Sequence, residues 1–456
     1  MTKRYLTIII FILSCLTVMA GQQKRFTLMG FGDSITEGGE GFESYLYALW
    51  ERLFSAGYDF DFIGPHESEC RIGKLANCGF RGKNAEYLDR ITDSIYQAYP
   101  ADYVLIHAGH NYYAHQEPVA RIIKSYRSII HKMQQVNPHV HILLSTVVES
   151  GKLPKYSYIP QLNHAIVSLV KDLHSTQVTL VDMNANFDWH TMTIADKVHP
   201  NSVGRNYMGE VWFKAIESLL KKPVYHFDVK KIGYKRLRNG EQLEAHVFLP
   251  HGKSSHSAIC WFFAGGWKYG TPLQFYRECS YFADKGMVAV TFDYRIACKD
   301  STTAEDAVED CKDAIRWLRT NTSFFNIKPY RIAVAGASAG GSMAALLGCI
   351  DPQSTENLSR PDLLILEYPT LQLSENKLRP QMPPMVMLIG TKDEFTPIDR
   401  AKQYVNKIKE LGNDCTLHTF EKRHHPIFYY RKPLTDDYTN VLEIIDAFLK
   451  KYQFTK

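Results

Sequence analysis

The sequence contains no block of lysine and arginine. Its 53 basic and 48 acidic residues are interspersed, and a net charge of +5 spread this way excludes the concentrated positive face that nucleic acid requires. No Cys/His spacing has the pattern of a zinc site, so no metal is expected. There is no internal repeat, which excludes a solenoid, and no low-complexity linker. Beyond the N-terminus no apolar run approaches the roughly 20 residues of a membrane-spanning helix. With 45% hydrophobic and 22% charged residues, the composition also excludes a disordered chain.

What is present begins with an export signal. Lys3 and Arg4 precede an apolar stretch, Ile8 to Val18, and Val18-Met19-Ala20 fits a small-residue cleavage site, so residues 1–20 are expected to be a signal peptide. Leu13-Ser14-Cys15 offers the alternative of a lipoprotein carrying lipid on Cys15. The protein is therefore expected in the periplasm or outside the cell. Export permits disulfides, and two pairs are candidates, Cys70 with Cys78 and Cys298 with Cys311. Cys260 and Cys349 sit in apolar runs and are expected as buried thiols.

Two blocks of strand–helix alternation follow. Strands are predicted at Phe26–Met29, Tyr103–His107, His141–Ser145 and Val178–Val181. They recur at Leu243–Leu249, Ala258–Phe263, Met287–Phe292, Arg331–Ala335, Leu363–Leu366, Met385–Ile389 and Thr416–Phe420. Strands separated by helices imply parallel sheets covered on both faces. Near Lys221-Lys222-Pro223 a helix ends and a hairpin turning at Asn239-Gly240 begins, so the expected domains are residues 21–222 and 223–456.

In the second block, Gly336-Ala337-Ser338-Ala339-Gly340 lies between an apolar strand and a small-residue helix. That is G-x-S-x-G in the context of a nucleophile elbow, which leaves the serine oxygen exposed at the strand end. Asp393 follows the strand Met385–Ile389, and His424-His425-Pro426 follows Thr416–Phe420. The order serine, carboxylate, histidine suits a triad in which the carboxylate orients the histidine and the histidine moves the serine proton. Gly265 and Gly266, in Phe263-Ala264-Gly265-Gly266-Trp267, bare backbone N–H groups for an oxyanion, with the N–H of Ala339 as partner. Roughly residues 232–450 resemble the α/β-hydrolase esterase/lipase group with an HGGGW-type oxyanion loop. Against that pattern Phe263 stands where the family has His, and His424-His425 replaces Gly-His. Alignment on the flanking residues favours His425.

In the first block, Gly32-Asp33-Ser34 follows the first strand, and Asp196-Lys197-Val198-His199-Pro200 comes much later. A spacing of three lets Asp196 orient His199, which then has to meet Ser34 in space. Residues 24–220 resemble the SGNH (GDSL-type) hydrolases, which implies a flavodoxin-like parallel-sheet sandwich. The resemblance also implies oxyanion donors at Gly82 and Asn111, beside the N–H of Ser34. The usual G-x-N-D reads Gly109-His110-Asn111-Tyr112 here and lacks the acid.

The expectation is an α/β protein with two metal-free, cofactor-free serine esterase sites. The GDSITEGG stretch resembles the acetylxylan-esterase-like branch, which implies an acylated polysaccharide or oligosaccharide as substrate and removal of acetyl, or acetyl and feruloyl, groups. Tyr112, Tyr113, Trp267 and Tyr269 are candidates for stacking on sugar rings. Rival readings are a lipid or small-ester hydrolase, a peptidase in the second domain, and a glycan-binding protein with one inactive domain. No long apolar insertion offers a lipase lid, and no propeller accompanies the peptidase-like fold.

Overall fold

A computed structural model describes residues 25–39, 41–223, 226–427 and 435–456. The expected signal peptide and Cys15 lie outside the described residues. The chain divides into two compact units with the break at His226/Phe227, and the short stretch Arg71–Gly73 is grouped with the second unit.

The first unit contains strands β1 (Phe26–Gly32), β2 (Phe60–Phe62), β3 (His66–Cys70), β4 (Gly73–Gly79), β5 (Tyr103–His107), β6 (His141–Ser145) and β7 (Val178–Val181). They form one sheet in the order β3-β4-β1-β5-β6-β7, with β2 paired to β1. The pairings of β1 with β2, β4 and β5, of β5 with β6, and of β6 with β7 are all parallel. Helices α1 (Tyr45–Ser55), α2 (Ala85–Ala98), α3 (Val119–Val136), α4 (Ile159–Leu173) and α5 (Ser202–Glu217) connect the strands. Their apolar residues recur every three or four positions. In α3 the buried set is Ile122, Tyr126, Ile129, Ile130 and Met133, one stripe that packs on the sheet. Asn84 starts α2 by accepting the Tyr87 N–H at 3.0 Å.

Strands β2 to β4 are not among the strands predicted from the sequence. His-Glu-Ser-Glu-Cys has little apolar content, and its pairing is set by neighbouring strands rather than by its own pattern. The candidate disulfides are also corrected, because Cys78 and Cys311 both remain thiols. Cys78 is in the core, and Cys311 is buried with its sulfur 3.6 Å from Met343 Sδ. Cys260 is buried as expected, while Cys349 is only partly so.

The second unit starts with the hairpin β8 (Lys230–Arg236) and β9 (Gln242–Phe248). Strands β10 (Ala258–Phe262), β11 (Val288–Phe292), β12 (Ile332–Ala337), β13 (Leu363–Glu367), β14 (Met385–Gly390) and β15 (Cys415–Phe420) follow. The sheet order is β15-β14-β13-β12-β10-β11-β9-β8. Among the described residues its β8–β9 and β9–β11 pairings are antiparallel and the other five are parallel. Helices α6 (Tyr276–Asp284), α7 (Ala304–Thr320), α8 (Ala339–Gly348), α9 (Ile398–Glu410) and α10 (Asp436–Lys451) join them. Because β12 lies between β10 and β13, the loop after β10 and the turn after β12 emerge side by side at the C-terminal sheet edge, where open α/β sheets place their sites.

Candidate active sites

In the first unit, β1 ends at Gly32 and the chain turns sharply. Asp33 caps that turn by accepting the Ile35 N–H at 3.0 Å, which leaves Ser34 at the strand end. Ser34 Oγ lies 2.8 Å from His199 Nε2, and His199 Nδ1 lies 2.5 Å from Asp196 Oδ2. With the proton on Nδ1, the ring donates to the carboxylate and Nε2 accepts from the serine hydroxyl. The other carboxylate oxygen of Asp196 accepts the N–H groups of Val198 and His199 at 2.9 and 3.0 Å. Burial would raise this carboxyl, but the His199 side chain and these N–H groups outweigh it and hold the acid below its ordinary value. The turn is pinned by Lys197, whose carbonyl accepts from Gly151 N–H at 3.0 Å and Ser150 Oγ at 2.8 Å.

The two oxyanion candidates follow the strands that flank β1. Gly32 pairs with Gly79 at the end of β4 and with His107 at the end of β5. Gly82 has φ +71°, and a Cβ there would meet open space. Asn111 has φ 69° and donates from Nδ2 to Lys83 O at 3.0 Å, so the two segments are tied together and the second hydrogen of Nδ2 is left over. Tyr112, standing where the related enzymes have an acid, is buried. Its hydroxyl accepts from the Ala85 N–H at 3.0 Å and pairs with Glu86, so its ring is not available to a sugar. Tyr113 is 51% exposed.

Sequence reasoning missed the ground beneath this site. Asp33, His107 and His110 are all buried, and His110 Nδ1 lies 3.9 Å from Asp33 Oδ2. Burial pushes Asp33 up to about 7 and His107 down to about 4. It pushes His110 down to about 3, helped by the nearby imidazoles of His107 and His199. It also missed Phe42, whose ring stacks on His199. An isolated phenylalanine among glycines carries no sequence signal for that contact.

In the second unit, Ser338 adopts φ 51° and ψ −114° between β12 and α8. This strained conformation is held by glycines that no other residue can replace. A Cβ on Gly336 would lie 2.5 Å from Gly340 C, and one on Gly340 would lie 2.0 Å from Phe262 O. Ser338 Oγ is 2.8 Å from His425 Nε2, and His425 Nδ1 is 2.8 Å from Asp393 Oδ2. Asp393 is buried and accepts the N–H groups of Phe395 and Thr396 at 2.9 and 2.8 Å. The structure therefore brings His425 to the serine. His424 points elsewhere, with Nδ1 2.7 Å from Glu394 Oε1.

Gly265 and Gly266 have φ +135° and +61°, and the space beside Gly266 is open. Phe263, in the place of the usual His, is buried and stacks on Tyr294 with centroids 3.9 Å apart, while Tyr294 Oη donates to Phe263 O at 2.8 Å. Gln274 Oε1 accepts the Ala264 N–H at 2.9 Å. An aromatic stack and one amide thus support the loop. Gly265, Gly266, Ser338, Ala339 and His425, with Trp267, line one cavity of about 450 Å³. Among the described residues no cluster of His, Cys, Asp and Glu is arranged to hold a metal, and no helix is long and apolar enough to cross a membrane.

Residues 31–206 match the GDSL-like Lipase/Acylhydrolase family, and residues 246–364 match BD-FAE. Among curated proteins the chain is similar to an acetylxylan esterase of Xylanibacter ruminicola. Identity is 23% over 237 residues, covering 44% of this chain and 48% of that protein. It is also similar to Esterase LipC of Mycobacterium tuberculosis, 26% identical over 192 residues, covering 32% of this chain and 47% of that protein. The chain spans about half the length of these curated relatives. Among solved structures it is similar to Thermogutta terrifontis esterase 2 phosphorylated by paraoxon. Identity is 31%, coverage 52% of this chain and 98% of that one, and the TM-score 0.47.

Two stretches of the chain, one in each unit, thus match two different families. The first stretch holds Ser34, Asp196 and His199, and the second holds Ser338 and ends before Asp393 and His425.

Proposed function

We propose that the chain is an exported esterase of acylated plant polysaccharide, with two serine sites working independently. The observation that carries this reading is the pair of Ser–His–Asp chains, each with its serine oxygen 2.8 Å from the histidine Nε2. In the first domain Ser34 is the nucleophile, His199 the base and Asp196 its orienter. In the second the roles fall to Ser338, His425 and Asp393. The serine oxygen attacks the ester carbonyl while Nε2 takes its proton. The oxyanion is held by the N–H groups of Ser34 and Gly82 and the Asn111 amide in one site, and by the N–H groups of Gly265, Gly266 and Ala339 in the other. The histidine then protonates the departing alcohol. It next deprotonates the water that releases the acid from the acyl-serine.

Similarity to an acetylxylan esterase supports acetylated xylan as the substrate, with acetyl release at both sites or acetyl at one and feruloyl at the other. Exposed Tyr113 and the cavity-lining Trp267 and Tyr269 are suited to stacking on sugar rings. Export rests on the N-terminal sequence pattern and is checked by N-terminal sequencing of protein recovered outside the cytoplasm. The deciding experiment measures acetate and ferulate release from native xylan by Ser34→Ala, Ser338→Ala and the double variant. Release by the double variant equal to that of the parent overturns the proposal. A fluorophosphonate probe that labels neither serine points instead to a glycan-binding protein.

A further inference from the structure

Beside the second triad lies a parallel pair. Consecutive acids, Asp393 and Glu394, face consecutive histidines, His425 and His424. Asp393 holds the His425 ring, while Glu394 uses both oxygens: Oε1 accepts His424 Nδ1 at 2.7 Å and Oε2 accepts the backbone N–H of His425 at 3.1 Å. The two loops also join through backbone bonds, Thr391 N–H to Phe420 O at 3.0 Å and Lys392 N–H to Arg423 O at 2.9 Å. Gly390 is required where they meet, because a Cβ there would lie 2.2 Å from Arg423 O. We propose that Glu394 and His424 form a clamp that positions the backbone of His425, so that its ring meets Ser338 and Asp393 together.

His424 and Glu394 have side chains 61% and 55% exposed, and ion pairs in water add little stability. The geometry, however, is specific. The Glu394 carboxylate closes on the peptide N–H of the catalytic histidine itself. A base displaced by a fraction of an ångström loses its hydrogen bond to serine, and misplacement of about 1 Å costs on the order of a hundredfold in rate. Glu394 is also held in its charged form. Its own backbone N–H comes first, then the His425 N–H and the His424 ring, and together they bring its carboxyl down to about 2. The clamp therefore keeps its acceptor throughout the pH range in which a serine esterase works.

The inference rests on the reading of Ser338, Asp393 and His425 as a triad. Its test uses the full chain carrying Ser34→Ala, so that only the second site turns over. In that background Glu394→Gln is expected to lower kcat on p-nitrophenyl acetate about tenfold, with KM changed less than about twofold. The rate of Ser338 labelling by a fluorophosphonate should fall by the same factor, while Tm moves by less than about 2 °C. A purely stabilising role would move Tm and spare kcat. His424→Ala should lose about threefold in kcat, and His424→Asn, which keeps a donor, should recover most of it. A folded Glu394→Gln enzyme with parental kcat overturns the clamp and leaves the triad standing. Should Glu394→Gln not fold, equal kcat for His424→Ala, His424→Asn and the parent overturns it instead. A Ser34→Ala parent that neither hydrolyses ester nor takes label at Ser338 removes the triad reading, and the clamp with it.

Discussion

Phe42 lies on the face of His199, with ring centroids 4.3 Å apart and 24° between the planes. Gly39 and Phe42 exchange backbone hydrogen bonds of 2.9 and 3.2 Å, and Arg81 donates to Gly38 O at 2.9 Å, so the turn carrying Phe42 is held in place. The ring restrains rotation of an imidazole that must hold Ser34 on one nitrogen and Asp196 on the other. A stacked aromatic contact is worth about 0.5–1.5 kcal/mol beyond its buried area. Phe42→Ala is therefore expected to lower kcat of the first site about tenfold, since about 1.4 kcal/mol is a factor of ten. Phe42→Tyr keeps the stack and should keep the rate. Both are read in a Ser338→Ala background, and equal rates for Ala and Phe at position 42 would show that the stack does nothing for turnover.

The nucleophile elbow of the second domain has no room for a methyl group. At Gly340 a Cβ would lie 2.0 Å from Phe262 O and 2.6 Å from Phe263 O, both backbone atoms that cannot swing away. Gly340→Ala should cost several kcal/mol, about the level of other severe core or backbone lesions. It should also displace the loop of Gly265 and Gly266, which continues directly from Phe263. Thermal unfolding and Ser338 labelling should fall together. An alanine variant with parental Tm would mean that the sheet relaxes around the turn.

Glu278 on α6 and Glu367 at the end of β13 are both buried carboxyls, and Glu367 O accepts the Ser338 N–H at 3.0 Å. Burial pushes Glu278 up to about 8 and Glu367 well above its ordinary value, with Glu278 adding repulsion at Glu367. The sign follows from proton counts. Between about 4.5 and 8 the folded protein keeps a proton on Glu278 that the unfolded chain has lost, so stability falls as pH rises. Below that window the contribution is fully present. Glu278→Gln should therefore raise Tm more at pH 8.5 than at pH 5, and melting curves at the two values check it. A gain that is the same at both pH values contradicts the assignment.

Much of the fold is legible in the sequence, for a physical reason. A strand buried on both faces is a continuous apolar run, so β10, β12, β13 and β14 announce themselves. The residues Ser34, Asp196 and His199, and Ser338 and Asp393, sit at sharp turns with few acceptable sequences. The choice between His424 and His425 was less legible, because both stand next to acids in the folded loop and spacing alone separates them by one position. Strands β3 and β4 were not legible, since β3 is polar, β4 mixes apolar and polar residues without alternation, and only Cys78 and Gly79 of β4 pair with β1. Neither Phe42 on His199 nor the Asp33–His107–His110 cluster could be found from sequence. Each depends on contacts between segments tens of residues apart, and none of these residue types is unusual alone.

The two serine sites should turn over independently of each other. Each domain has its own hydrogen-bonded serine, histidine and acid, and neither chain borrows a residue from the other. Removing a triad serine typically costs on the order of 10⁶ in kcat. Ser34→Ala should therefore abolish turnover at one site and leave the Ser338-dependent rate unchanged, and Ser338→Ala should do the converse. Fluorophosphonate stoichiometry should drop from two labels per chain to one in each single variant and to none in the double. On a mixed set of acetyl and feruloyl esters the two residual activities should add up to the parent rate for every substrate. A folded single variant that loses all activity on every ester would show that the domains act as one site, and the assignment of two complete triads would have to be abandoned.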